Sequence, residues 1–279
     1  MEREMKLQSV NGEQLIGKLW GDPEQARAIV VLMHGLGEHI GRYEHVAAKF
    51  VERGFALLAF DQQGHGKTAG KRGVIDPDDS MRRDIEAMLR LAKQLAPGRP
   101  VFLYGHSMGS MESLYYGLKG QEEVDGIIAT SPPLDPRTLS GTQRVLMKIV
   151  KPFAPNLAID NGLSISGLSR DADVVRRYEA DPLVHPKASV RLAAFINDAA
   201  AYVREHADEW HLPLYLAHGS ADPICPVEGS RELAKKLGEK ATYKEWDGLY
   251  HETHNEPEQD LVIATMLDWL ESKLDEKAQ

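Results

Sequence analysis

Val101-Phe102-Leu103-Tyr104-Gly105-His106-Ser107-Met108-Gly109-Ser110 is the stretch whose reading decides the fold. An apolar, β-prone run ends at Gly-x-Ser-x-Gly, and a helix-compatible stretch, Met111 to Lys119, follows. A serine on so sharp a strand-to-helix turn needs small neighbours on both sides, which Gly105 and Gly109 provide. The turn pushes the hydroxyl out at the top of a sheet, and the helix behind it aims backbone N–H groups at the same place. Ser107 is therefore the candidate nucleophile. The rival is an ordinary glycine-flanked turn, and the strand before the serine and the helix after it speak against that.

Working outward, the same alternation recurs. Glu4–Val10 and Gln14–Trp20, with Asn11-Gly12 between them, read as an antiparallel hairpin closed by an Asn-Gly turn. The runs Ala28–Met33, Phe55–Phe60, Val101–Tyr104, Ile127–Ala129 and Leu214–Ala217 are almost continuously apolar, as in strands covered on both faces. Helical patterns separate them at Tyr43–Arg53, Ser80–Ala96, Met111–Lys119, Val227–Leu237 and Glu256–Leu274. The fold class is α/β, with a mostly parallel central sheet flanked by helices. The rhythm stops after Thr130 and resumes at Leu212-Pro213-Leu214. We read residues 1–130 and 211–279 as two parts of one core, and 131–210 as a helical cap inserted over the sheet's ligand-binding edge. A separate helical domain is the alternative.

The 279 residues carry 33 Lys and Arg against 42 Asp and Glu, a formal net charge of −9. Nucleic acid is thereby excluded as the main partner, because phosphate binding needs a basic surface. Cys225 is the single cysteine, so neither an intrachain disulfide nor a cysteine-rich metal site can form. The charged N-terminus lacks the apolar region of a secretory signal, and the apolar runs are too short to span a bilayer. A cytoplasmic protein, in transient contact with membrane at most, is expected.

A serine hydroxyl needs a base within reach and a third group to orient that base. Asp222 follows the strand at Leu214–Ala217, and His251 follows the short strand Tyr243–Trp246, giving the order Ser, acid, His. Asp222 could instead serve only the turn before Pro223. Asp247 competes for the acid role and His254 for the base, but Asp222 and His251 are preferred. Oxyanion donors are expected at the backbone N–H of Met108 and, in the loop His34-Gly35-Leu36-Gly37, of Leu36. Gly64-His65-Gly66-Lys67-Thr68 ends like a phosphate-binding loop, but Asp61 stands where the first glycine belongs. His251-Glu252-Thr253-His254 is one residue short of a zinc helix. The chemistry calls for neither metal nor cofactor.

Together these residues resemble the monoacylglycerol lipase and lysophospholipase family of α/β-hydrolases. The likeness rests on His34-Gly35-Leu36-Gly37-Glu38-His39 with Gly41-Arg42-Tyr43, on Asp61 with Gly64-His65-Gly66, and on Gly105-His106-Ser107-Met108-Gly109. It continues in Tyr178 with Asp181-Pro182-Leu183, in Gly219-Ser220-Ala221-Asp222, and in Tyr250-His251 with His254. The resemblance implies a serine hydrolase acting on the ester of a single-chain acyl lipid, most simply monoacylglycerol. Ser107, Asp222 and His251 would be nucleophile, acid and base. Glu38, Arg42, Tyr178 and His254 would surround the alcohol-side pocket, and Cys225 matches a cysteine near the site in some members. Gln62 departs from the pattern, which often has histidine or arginine there, and the cap matches weakly from Pro132 to Val174. A lysophospholipase or broad short-chain carboxylesterase is the alternative within catalysis, and a non-catalytic lipid-binding protein the alternative outside it.

The cap offers one physical hint. Thr142–Val150 places Val145, Leu146, Ile149 and Val150 on one helical face, extended by Phe153, Leu157 and Ile159. Such a face either packs on the cap's own core or forms a lipid-facing entrance that touches micelles or membrane.

Overall fold

The apolar runs become strands of one sheet in a computed structural model that describes residues 2–138 and 141–278. Leu139 and Ser140 of the expected cap, and Met1 and Gln279 of the expected core, lie outside the described residues. In chain order the elements are β1 (Glu2–Gln8), β2 (Gln14–Trp20), β3 (Ile29–Met33), α1 (Glu44–Glu52), β4 (Ala56–Phe60), α2 (Ser80–Leu95), β5 (Val101–His106), α3 (Met108–Lys119) and β6 (Gly126–Thr130). There follow α4 (Gly141–Val150), β7 (Ala158–Asp160), α5 (Ala172–Ala180), β8 (Lys187–Ser189) and α6 (Val190–Glu205). The chain closes with β9 (Leu214–Gly219), α7 (Glu228–Leu237), β10 (Ala241–Trp246) and α8 (Gln259–Ala278).

Eight strands form the main sheet in the order β1-β2-β4-β3-β5-β6-β9-β10, and only the β1–β2 and β2–β4 pairs are antiparallel. Successive residues of a strand point to opposite faces. Val31 and Met33 accordingly join an apolar layer with Met88 of α2 and Leu114 of α3. Val30 and Leu32 join the opposite layer with Phe50 of α1 and Met266 of α8. Both layers are needed to cover the unbroken apolar strands. The chain moves from β3 outward to β4, then returns to add β5 on the other side of β3. That reversal opens a crevice beyond the carboxyl ends of β3 and β5, where open α/β sheets hold their ligands.

Two local differences have clear causes. The β1–β2 connection is the five-residue loop Ser9–Glu13, not a two-residue Asn-Gly turn, since Gln8 already pairs with Gln14. The Ser9 hydroxyl and the Val10 N–H both donate to Asp84 of α2, which draws this segment off the strand path. The described residues of 131–210 give no strand to the main sheet, but β7 and β8 pair antiparallel with each other. α6 packs on α3, and its Ala199, Ala200 and Val203 enter the core layer beneath.

Candidate active site

Ser107 stands between β5 and α3 with φ 52° and ψ −117°, a conformation non-glycine residues rarely adopt. Its neighbours make the turn possible. A Cβ on Gly105 would lie 2.1 Å from the Gly109 carbonyl oxygen, and one on Gly109 would lie 2.1 Å from that of Met33. Any side chain at either position would force β5, α3 and β3 apart. The Ser107 N–H donates to the Thr130 carbonyl at 2.9 Å, tying the elbow to β6.

His251 and Asp222 leave β10 and β9 at the same edge, and the structure brings them to the serine. His251 Nε2 lies 2.9 Å from Ser107 Oγ, and Nδ1 lies 2.7 Å from Asp222 Oδ2. Because the carboxylate can only accept, Nδ1 carries the proton and Nε2 is free to accept from the serine. Burial alone would lower the His251 pKa, but the Asp222 charge and hydrogen bond outweigh it and raise it above the ordinary histidine value. The Asp222 side chain is fully buried, which by itself would raise its pKa. His251 and His218 beside it, with the backbone N–H groups of Ile224 and Cys225, hold it well below the usual carboxylate range. His218 was not singled out in the sequence; it sits four residues before Asp222, and its Nε2 lies 3.1 Å from Oδ2. Asp247 is exposed and takes a bond from Ser220, away from the histidine.

The loop after β3 lies against the serine, since a Cβ on Gly35 would come within 3.3 Å of Ser107 Cβ. Leu36 lines the cavity above Ser107, whereas the Met108 side chain packs against Ile75, Met81 and Leu192. Asp61 braces this region by accepting from the N–H groups of Ile40 and Lys67, and the Gln62 amide donates to the His34 carbonyl.

Part of the cavity lining is polar. Glu38 and Tyr178 line it together with Glu252, which the sequence reading passed over although it adjoins His251. Arg42 sits behind them. It forks onto Glu252 at 2.5 and 2.6 Å, bonds Glu38 at 2.6 Å, and lies under the Tyr178 ring. Burial would raise the Glu252 pKa, but Arg42 keeps it far below the usual range. Glu38 Oε1 also accepts from the Gly35 N–H and the Tyr43 hydroxyl, so it props the loop after β3.

His254 does not join this lining. It is fully buried, stacked on Tyr43 at 4.9 Å and edge-on to His106 at 4.7 Å, and burial drives its pKa well below that of free histidine. It points behind the site, into the core, whereas the family resemblance implied a place around the alcohol-side pocket. Among the described residues no group of three or more His, Cys, Asp or Glu could hold a metal ion.

Leu163, Ile165 and Leu168 add apolar side chains to the lining. The cavity volume is only ≈ 30 Å³, against roughly 300 Å³ or more for a typical ligand pocket. Farther out, Val145, Leu146 and Ile149 are 59, 59 and 60% exposed, and Phe153 is 88% exposed. The apolar face of α4 therefore does not pack into a cap core. No helix among the described residues is long and apolar enough to cross a membrane.

With this geometry in hand, similarity to known proteins is informative. A family model described as serine aminopeptidase, S33, matches residues 24–258. A monoacylglycerol lipase of Mycolicibacterium smegmatis is 33% identical over 276 residues, covering 97% of this chain and 98% of the relative. The chain also matches 28% of the length of an uncharacterized abhydrolase domain-containing protein of Dictyostelium discoideum, at 32% identity over 267 residues. The crystal structure of Paleococcus ferrophilus monoacylglycerol lipase superposes with a TM-score of 0.86 at 34% identity, covering 93% of this chain and 99% of that one.

Proposed function

The chain belongs to the family described as serine aminopeptidase, S33, with the α/β-hydrolase fold, and on that premise we propose that it hydrolyses monoacylglycerols to glycerol and fatty acid. The observation that carries this reading is the mixed lining of the cavity over Ser107, where Leu163, Ile165 and Leu168 occur with Glu38, Tyr178 and Glu252. A single-chain acyl ester of a small polyol has the matching mixture of apolar and polar groups. A peptide with a free α-ammonium does not. It would need an uncompensated carboxylate, and Arg42 already pairs with both Glu38 and Glu252.

In this mechanism Ser107 Oγ attacks the ester carbonyl while His251 Nε2 takes its proton. Asp222 holds the imidazole in the correct tautomer and stabilises the imidazolium. The tetrahedral oxyanion is met by the backbone N–H groups of Met108 and Leu36. His251 then protonates the departing glycerol oxygen, leaving an acyl-serine. A water molecule, deprotonated by His251, repeats the sequence and releases the fatty acid. The cavity as it stands is too small for an acyl chain, so the part of the cap ahead of α6 moves before binding. The exposed side chains from Val145 to Ile159 make that cap the face that touches a micelle or membrane surface.

The test is release of product from monoacylglycerols of graded chain length, from lysophosphatidylcholine and from leucine p-nitroanilide. Preference for monoacylglycerol, lost by roughly 10³-fold or more in Ser107→Ala, is the expected result. Faster hydrolysis of the lysophospholipid or the anilide would overturn the substrate assignment. A wild-type protein inert to a fluorophosphonate would overturn catalysis altogether.

A further inference from the structure

Thr130 ends β6 and Ser131 begins the segment that covers the site, and this dipeptide fastens two different members of the triad. The Thr130 carbonyl accepts the Ser107 N–H at 2.9 Å. The Ser131 hydroxyl donates to the His251 carbonyl at 2.6 Å. Ser131 is in turn fixed to the sheet, because its N–H donates to the Ala217 carbonyl of β9 at 2.9 Å. One short stretch of backbone thus spans from nucleophile to base.

The conformation of Ser131 is unusual for its residue type. It is fully buried at φ 51°, in the left-handed region where glycine is the usual occupant. Such strain persists only where the surroundings over-determine it. Glycine would adopt this backbone freely but would supply no hydroxyl. The alternative tie on the histidine's own backbone is weak: the His251 N–H reaches the Gly167 carbonyl only at 3.4 Å. The residues on either side are held by other bonds, Tyr250 N–H to Glu256 at 2.6 Å and Glu252 N–H to the Leu168 carbonyl at 2.8 Å, so the serine supplies the short bond to the peptide of His251 itself.

We propose that Ser131 is a positioning residue for the general base, its hydroxyl holding the His251 backbone where Nε2 meets Ser107. This rests on reading Ser107 and His251 as nucleophile and base. It also places the tether at the first residue of the cap, so that base alignment and cap attachment share one anchor.

Ser131→Ala and Ser131→Gly separate the hydroxyl from the backbone strain. Both lose the hydrogen bond, but only glycine relieves the positive φ. The measurements are kcat and KM on p-nitrophenyl butyrate, the rate of serine phosphonylation by a fluorophosphonate, and the folded fraction from thermal melts. Both variants are expected to lose about ten- to hundred-fold in kcat with KM within about twofold, since misplacing a catalytic group by roughly 1 Å costs that much. Phosphonylation should slow in parallel, and Ser131→Gly should melt no lower than Ser131→Ala. Wild-type kcat in Ser131→Gly, or a loss that vanishes when rates are normalised to folded protein, overturns the proposal while leaving the hydrolase reading intact. A wild-type protein that reacts with neither ester nor fluorophosphonate overturns both.

Discussion

The Tyr178 ring lies 4.7 Å from the Arg42 guanidinium, so a residue of α5 in the cap rests on a buried cation of the core. That cation is held in a fork by Glu252 and bonded by Glu38. Removing it would leave two nearly buried carboxylates uncompensated. Arg42→Ala is expected to cost about 3–5 kcal/mol in urea unfolding, the range for breaking a buried pair from one side. Arg42→Lys should recover only part of this, because an ammonium cannot bond both oxygens of Glu252 in the same plane. A loss below about 1 kcal/mol for the alanine variant would mean that the pair is solvated and that Tyr178 does not depend on it.

The pH profile follows from His251. Its imidazole must be neutral to accept the serine proton, and Asp222 raises its pKa above the ordinary histidine value despite burial. Activity should therefore be lost as pH falls through that raised value, with the acid limb of kcat/KM lying above about 6.5. Asp222→Asn removes the raising charge, so the limb should move to lower pH while kcat drops by about 10⁴-fold. A limb at or below the free-histidine value in the wild type would contradict the assigned pair.

His254 calls for a different outcome from that of a pocket residue. Its ring is packed between Tyr43 and His106 with no exposed surface. His254→Ala should lower stability by about 2–5 kcal/mol, as other large buried truncations do. KM for monoacylglycerol should stay within about twofold. A raised KM with unchanged melting would return the residue to the substrate wall.

The elbow was legible because Gly-x-Ser-x-Gly is a compact motif, although only Gly105 is excluded from bearing a side chain by the turn itself; at Gly109 the collision comes from Met33 of the distant β3. The strands at the site were legible because continuous apolar runs bounded by turn residues mark strands covered on both faces. What failed was set by distant partners. The pull of Asp84 on Ser9 and Val10 reshaped the first hairpin across 75 and 74 residues of chain. The facing of His254 depended on Tyr43 and His106, which spacing within 251–254 cannot report. Glu252 and His218 carried weak signals, adjacency to the base and a four-residue offset from the acid. The three-residue pairing of β7 with β8 is too short to leave an alternating pattern.

The apolar face of α4 decides between two readings of the cap. Leu146 and Ile149 are more than half exposed, so replacing both by Ser removes little that packing holds. Stability should change by no more than about 0.5 kcal/mol per site, as for ordinary surface positions. If this face enters a lipid surface, each lost side chain withdraws part of the roughly 1.5–3 kcal/mol that full burial of a Leu or Ile contributes. The double variant should then bind vesicles more weakly, and its kcat/KM on vesicle-borne long-chain monoacylglycerol should fall at least tenfold. Hydrolysis of p-nitrophenyl acetate, which needs no lipid surface, should persist. Equal losses on both esters with a lower melting temperature would instead show that these side chains hold the cap together.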